Sequence, residues 1–283
     1  MRSVNRFFYF ILLIGLRTCL LFCSERNDDS SLTRQSIPDI VVDDIKIGFH
    51  DAVSYFGAPL EFSDREWIIA ASGVTATTFL MFADREIKRI VERDHQRIFA
   101  GKYQDIPLKY GQVEYGSIFA AGIYGIGLFT HMNELRITGR LLTQSLLYSG
   151  STVMILRWAF GRTRPFLTDN SWDFHWFEPR FRMQAFPSGH ATVSFALSTI
   201  LSNRIDNTFA SVGLFSLAIL DGFLQVYNHQ HWLSDVIIGG VIGIGTSMYV
   251  ISQEEKRRTV SSSDRSGLSI VPGNGGLRIV YQF

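Results

Sequence analysis

Cysteine is almost absent from this chain: there are two in 283 residues, Cys19 and Cys23, both near the amino terminus. That excludes a disulfide-built scaffold and a zinc ribbon, and a mature chain lacking its first 24 residues would carry no thiol. Net charge is nearly absent too. Twenty-seven Lys and Arg against 26 Asp and Glu leave a formal +1, so no basic field suits nucleic acid and no acidic run suits disorder. Charged residues make up 19% of the chain, below the roughly 25% of ordinary soluble proteins. Phenylalanine is plentiful, at 23 residues, and the mean hydropathy is +0.12. A collagen-like repeat and a highly charged coiled coil are thereby excluded. What is left is a helical protein on the border between soluble and membrane-embedded.

Arg2 and Arg6 precede an apolar run from Phe7 to Leu16, and a second apolar patch lies around Cys19 to Cys23. A basic flank before an apolar stretch is the pattern of an export signal. Arg17 interrupts the run and no small-residue cleavage site stands out near Ser24. A cleaved signal, a retained anchor and lipid attachment at Cys23 are therefore three ways to read residues 1–24. Residues 25–63 read as a polar tether followed by a short amphipathic helix lying on a surface, with Pro59 as a break. Ser63 then caps a helix with an acidic first turn, which carries the apolar stretch Trp67 to Ala83. From Asp84 to Lys109 both signs of charge alternate at helical spacing, which predicts a solvated helix face.

Five further apolar stretches follow: Ser117 to Met132, Leu141 to Leu156, Ala191 to Ser202, Thr208 to Leu220 and Val236 to Ser252. Each is shorter than the roughly 20 residues of a bilayer span. Their Gly and Ala content allows close helix approach in lipid or in a soluble core, so hydropathy leaves both open. The expected fold is all-α: a six-helix core bundle over residues 64–255 with the active site at one end. An export or anchor segment precedes it, and a tail, 256–283, follows. In the tail Pro272 to Gly276 is a turn cluster and Leu277 to Phe283 alternates like a strand.

Three polar clusters fall at helix ends. Arg157 to Pro165, with Arg162 and Arg164, closes the Leu141 helix; Phe186-Pro187-Ser188-Gly189-His190 opens the Ala191 helix; Tyr227 to Asp235 joins the last two helices. In an up-and-down bundle all three lie at one end. Each suits an anion. Guanidinium forks match phosphate oxygens two at a time, and a helix start offers unpaired N–H groups and a favourable dipole. Gly189 allows close approach to that backbone, although Ser188 also reads as a simple helix cap. His231 and Asp235, four apart, place a carboxylate within reach of an imidazole. One ring nitrogen is then fixed and the other is left as nucleophile or base. His229-x-His231 is a weak metal pattern, since no cysteine or second carboxylate cluster accompanies it.

Together these clusters resemble the signature of the type 2 phosphatidic acid phosphatase/haloperoxidase superfamily. That signature is a Lys, six residues and Arg-Pro; then Pro-Ser-Gly-His; then Ser-Arg, five residues, His, three residues and Asp. Arg157 through Arg164-Pro165, Pro187 to His190, and His231 with Asp235 match it in order and separation. Two departures stand out. Arg157 replaces the Lys, which keeps the charge but changes its shape, and Leu224-Gln225 replaces the Ser-Arg. A lost charged contact to a transition-state anion costs on the order of 3 kcal/mol, or about a hundredfold in rate.

The resemblance implies a metal-independent phosphatase that hydrolyses phosphate monoesters or pyrophosphates, lipid-linked or small and soluble, through a phosphohistidine. His231 would be the nucleophile, Asp235 its orienting partner, and His190 the acid and then the base. Arg157, Arg164, Ser188, Gly189 and Gln225 would hold the phosphate, with Arg162 or Arg182 as substitutes for the missing cation. No cofactor and no metal is implied. The expected partners are a phosphorylated lipid or small phosphate ester and a membrane, not nucleic acid, and the expected location is a bacterial cell envelope, membrane-associated or periplasmic. A non-catalytic phosphate- or lipid-binding relative weakened by Gln225, and a vanadate-dependent haloperoxidase, are the alternative readings.

Overall fold

A computed structural model describes the backbone of residues 36–93, 104–265, 268–273 and 276–281, with side chains up to residue 260. The expected signal or anchor segment, 1–24, lies outside these residues. Among the described residues eight α-helices follow one another: α1 (Ile37–Gly57), α2 (Asp64–Arg93), the short α3 (Asp105–Tyr110), α4 (Val113–Phe129), α5 (Asn133–Phe160), α6 (Gly189–Ile205), α7 (Thr208–Tyr227) and α8 (Leu233–Arg265). The all-α expectation holds, and each apolar stretch lies largely within a helix of its own. The helices outrun those stretches. α2, α7 and the 233–260 part of α8 are each long and apolar enough to cross a membrane; α2 and α8 extend past their stretches at both ends and α7 at its C-terminal end. In the tail, β2 (Gly276–Tyr281) meets the expected strand. It pairs antiparallel with β1 (Leu268–Gly273), which takes in Pro272 and Gly273 from the turn cluster.

Local chemistry sets the helix boundaries. At α2 the Ser63 amide and hydroxyl both donate to Glu66, at 2.7 and 2.6 Å, in a capping box. α6 starts at Ser188, whose hydroxyl accepts from the Ala191 amide, and α7 at Asn207, whose side chain accepts from the Ala210 amide. α5 stops at Gly161, which is left-handed at φ 55°; any side chain there would strike the His175 carbonyl.

The core runs along α4, α5, α6 and α8 and includes Ile123, Leu135, Leu142, Ile200 and Val250. α6 and α8 cross so closely that a Cβ on Gly239 would overlap the Ser188 carbonyl. Contact between them is partly polar: Thr192 donates to the Gly239 carbonyl at 3.0 Å, and Ser247 of α8 donates to the Ala196 carbonyl at 3.2 Å. Small and hydroxyl-bearing residues at helix contacts are what allow such an approach.

α1 departs from the surface helix expected for it. It runs alongside α5, with Asp44 bonded to Arg136 and Tyr55 bonded to Thr152 at 3.3 Å. Its polar face points inward, with Asp44 and Asp51 buried, while Val42, Ile45, Phe49, Val53 and Phe56 form an exposed stripe at helical spacing. Asp51 finds Gln144 and Arg257 inside, at 3.0 and 2.8 Å. Those pairs turn the helix inside out.

Candidate active site

The chain alternates direction from α4 to α8. The end of α5, the start of α6 and the α7–α8 junction therefore meet at one end of the bundle, as the spacing predicts. A cavity of about 910 Å³ opens there, and His190, His231, Arg157, Arg164, Gly189 and Gln225 all line it.

Arg157, in the last turn of α5, reaches across to donate from Nε to the Pro187 carbonyl at 2.9 Å. A Cβ on Gly189 would sit 3.0 Å from its guanidinium, so only glycine leaves that approach relaxed. Arg164 stacks its guanidinium 4.2 Å from the Phe181 ring centre and donates to the carbonyls of Phe181 and Gln230 at 3.4 and 3.3 Å. Neither arginine forms an ion pair with any described residue. Burial pushes the Arg157 guanidinium down to about 10, helped by the neighbouring Arg164 charge, and burial likewise lowers Arg164. Two desolvated cations without counter-ions favour an anion.

His231 precedes α8 instead of lying on it. Its Nδ1 is 2.7 Å from the Ala185 carbonyl and 3.8 Å from Asp235 Oδ2. A carbonyl only accepts, so Nδ1 carries the proton and Nε2 keeps its lone pair. The backbone therefore shares the tautomer-fixing role expected of Asp235 alone. Burial pushes the His231 imidazole down to about 4, against the opposing pull of Asp235. His190 is likewise pushed down to about 4 by burial, then by His231 and the two arginines. Both rings are therefore neutral at neutral pH.

Three expected residues stand behind the wall. Ser188 is fully buried: its hydroxyl caps α6, and its amide donates to the Asp235 carbonyl at 2.9 Å, tying the second cluster to the third. Asp235 is buried as well, accepting from the Trp232 amide at 2.9 Å. Arg162, considered as a substitute cation, cannot serve: all five of its N–H groups are used on Ser171, Ser234, Asp235 and Asp84. Arg182 is exposed and away from the cavity lining. Gln225 does face the cavity, while its carbonyl accepts from the amides of Gln230 and His231 at 3.0 and 3.2 Å. His229 lies outside the lining. Among the described residues no three His, Cys, Asp or Glu side chains converge as a metal site requires.

Asp84 and Lys88 correct the expectation of a solvated face after Ala83. Asp84 is 1% exposed and Lys88 9%. Asp84 binds Arg162 at 2.8 Å, and the Ser234 amide and hydroxyl at 2.9 and 2.5 Å. Lys88 donates to the Pro165 and Thr168 carbonyls and to Asp169, at 2.8, 3.0 and 2.5 Å, pinning the turn after Arg164. The available signal was register: Thr77, Met81, Asp84 and Lys88 continue one helical stripe out of the apolar run.

Residues 139–259 match the PAP2 superfamily. A lipid A 1-phosphatase of Porphyromonas gingivalis is 27% identical over 121 residues, which cover 41% of this chain and 24% of that one. The chain thus spans about a quarter of the length of that curated relative. Among solved structures, that of Aquifex aeolicus LpxE aligns at a TM-score of 0.44 with 19% identity, over 59% of this chain and 93% of that one. The matched segment, less than half of the chain, holds all three clusters that line or support the cavity, and it is this segment that is similar to the PAP2 superfamily.

Proposed function

We propose that this protein is a phosphatase that removes phosphate from a membrane-borne lipid at the cell envelope, through a phosphohistidine on His231. The observation that carries the reading is the convergence of two neutral imidazoles and two unpaired guanidinium groups on one cavity. Arg157, Arg164 and the free amides of the first turn of α6 hold the phosphate oxygens, where charge gathers during transfer. Nε2 of His231 attacks phosphorus; the P–N bond forms as the ester P–O bond breaks. His190, drawn up by the bound dianion, gives its proton to the departing oxygen. It then takes a proton from water, whose oxygen attacks phosphorus, and the P–N bond breaks to release phosphate and neutral His231. Asp235 and the Ala185 carbonyl hold the ring throughout.

Several features support a lipid substrate. One wall of the cavity is apolar, with Val113, Val153, Met154 and Trp158 on the α4 and α5 sides, and Met154 is 72% exposed on the outer surface. The outward stripe on α1, over an inward polar face, suits hydrocarbon and not water. The name of the Porphyromonas gingivalis relative, a lipid A 1-phosphatase, points to a phosphate on a lipid.

The test is phosphate release by the detergent-solubilised full chain from lipid-borne and small soluble phosphates, with acid-stable and acid-labile phosphoenzyme separated after rapid quenching. An acid-labile phosphoenzyme in the wild type and none in His231→Ala is the expected result. Turnover that survives in His231→Ala would overturn the nucleophile, and a wild type inert on every substrate would favour the phosphate-binding alternative.

A further inference from the structure

Arg162 joins two carboxylates from different helices in a wholly buried group. Its guanidinium donates to Asp235 Oδ1 at 2.5 Å and to Asp84 Oδ2 at 2.8 Å, and all three side chains are fully inaccessible. Ser234 closes the loop, accepting from Arg162 at 2.7 Å and donating to Asp84 at 2.5 Å. The aromatic faces of Phe174 and Trp232 flank the guanidinium at 5.5 and 5.4 Å. With both carboxylates ionised, this cluster carries one net negative charge, and it meets His231 through Asp235, whose Oδ2 is 3.8 Å from Nδ1. Asp235 and Arg162 alone would carry none.

We infer that Asp84 is a positioning residue for the transfer step, acting through Arg162 and Asp235 on His231. The inference rests on the phosphatase reading. When Nε2 bonds phosphorus the imidazole becomes cationic, and a net charge of −1 in a water-free surrounding opposes that cation where a neutral ion pair would not. Asp84 also accepts from the Ser234 amide in the first turn of α8, fixing the helix that carries Asp235. The residue lies outside the three clusters, on a helix that contributes nothing to the cavity lining.

The charged and titratable groups bearing on His231 are few. Asp235 comes from α8, Arg157 from α5, Arg164 and Arg162 from the following loop, and His190 from α6. Behind them on α2 stand Asp84 and, one turn on, Lys88, whose charge is answered by Asp169. Removing the charge of Asp84 therefore leaves the phosphate-holding arginines untouched.

Two steps report the effect with opposite sign. Asp84→Asn should slow formation of the phosphoenzyme ten- to a hundredfold, because the cation forms there. Its hydrolysis, in which the cation is lost, should stay as fast or become faster. The inhibition constant for inorganic phosphate should remain within twofold of the wild type. Rapid-quench kinetics on the full chain in detergent measure both steps. Equal slowing of both, a matching loss of phosphate affinity, or rates within twofold of the wild type would overturn the proposal. If Asp84→Asn fails to fold, Ser234→Ala removes the hydroxyl between Asp84 and Arg162. It should slow formation alone, three- to tenfold, and an unchanged rate there overturns the proposal equally. A wild type that releases phosphate with no phosphohistidine defeats the parent reading and this one with it. A phosphohistidine insensitive to Asp84 defeats only this one.

Discussion

The two ends of the bundle bury arginines in opposite ways. At the far end, Arg136 and Arg140 bind Asp44, Arg140 also binds Glu254 at 2.5 Å, and Arg204 and Arg258 bind Glu134. Arg257 is shared between Asp51 and Glu254, at 2.8 and 3.3 Å. Every one of these cations has a carboxylate. At the cavity end Arg162 is matched in the same manner, but Arg157 and Arg164 have only carbonyl oxygens and an aromatic ring. Buried charge alone therefore marks nothing, because paired networks hold helices together at both ends. Cations left over after pairing mark where an anion comes.

Removing a left-over cation should have the largest effect. Arg157→Ala or Arg164→Ala should lower kcat/KM by about a hundred- to a thousandfold, while leaving the thermal unfolding temperature near that of the wild type or above it. Arg157→Lys, which keeps the charge but loses the fork, should recover most of the loss. A fall of less than fivefold in steady-state phosphate release would break the comparison. The far-end counterpart is Arg140→Met. It takes one cation from each of Asp44 and Glu254, leaving Asp44 with Arg136 and Glu254 with Arg257 and Arg258, and should cost about 3 kcal/mol of stability, with kcat per folded molecule within twofold of the wild type. If the unfolding temperature held while turnover collapsed, the far end would be functional after all.

The free imidazoles sharpen the contrast through pH. His231 must be neutral to attack and is held down to about 4, so its acid limb in kcat/KM belongs near pH 4 instead of near the roughly 6.5 of free imidazole. His190 must be protonated to act as the acid, and it too is held down to about 4 by burial, by His231 and by the two arginines. The profile of kcat/KM should therefore peak in the acid range and decline as pH rises. That of kcat should hold to higher pH, because the bound dianion answers the two arginines and raises His190. Coincident profiles for the two parameters would remove the dianion from that role.

Much of the cavity lining is legible in the sequence, since His190, His231, Arg157, Arg164, Gly189 and Gln225 sit at helix ends whose topology brings them together. The supporting layer is less so. Asp84 and Lys88 look like the start of a solvated segment because their partners, Arg162, Ser234 and Asp169, are 78 or more positions away. Composition carries no trace of such pairing. The same blindness hides the inverted face of α1, whose Asp44 and Asp51 look solvent-bound until Arg136 and Arg257 are brought to them. Ser188 is the converse case: the motif marks it as a ligand contact, and the fold uses its hydroxyl as a cap.

The smallest effect, and the finest test of what an unpaired charge does, lies at Gln225. A cation here would face the cavity, so Gln225→Arg should raise turnover. The neighbourhood limits the gain. One helical turn earlier Asp221 is fully buried against Gly111, with the side chains of Ser194 and Gln225 bearing on its carboxylate and no cation paired with it among the described residues. An arginine at 225 is four residues on, within reach of that carboxylate, and would divide its guanidinium between Asp221 and the phosphate. The gain expected in kcat/KM is thus about three- to tenfold, well short of the hundredfold that an uncompensated cation supplies. Asp221→Asn added to Gln225→Arg frees the guanidinium and should raise the rate again. Asp221→Asn alone, lacking any cation to release, should leave turnover within twofold. If the double variant is no faster than Gln225→Arg, Asp221 does not compete for the cation; if Gln225→Arg brings no gain at all, the two arginines already present saturate the anion's need for charge.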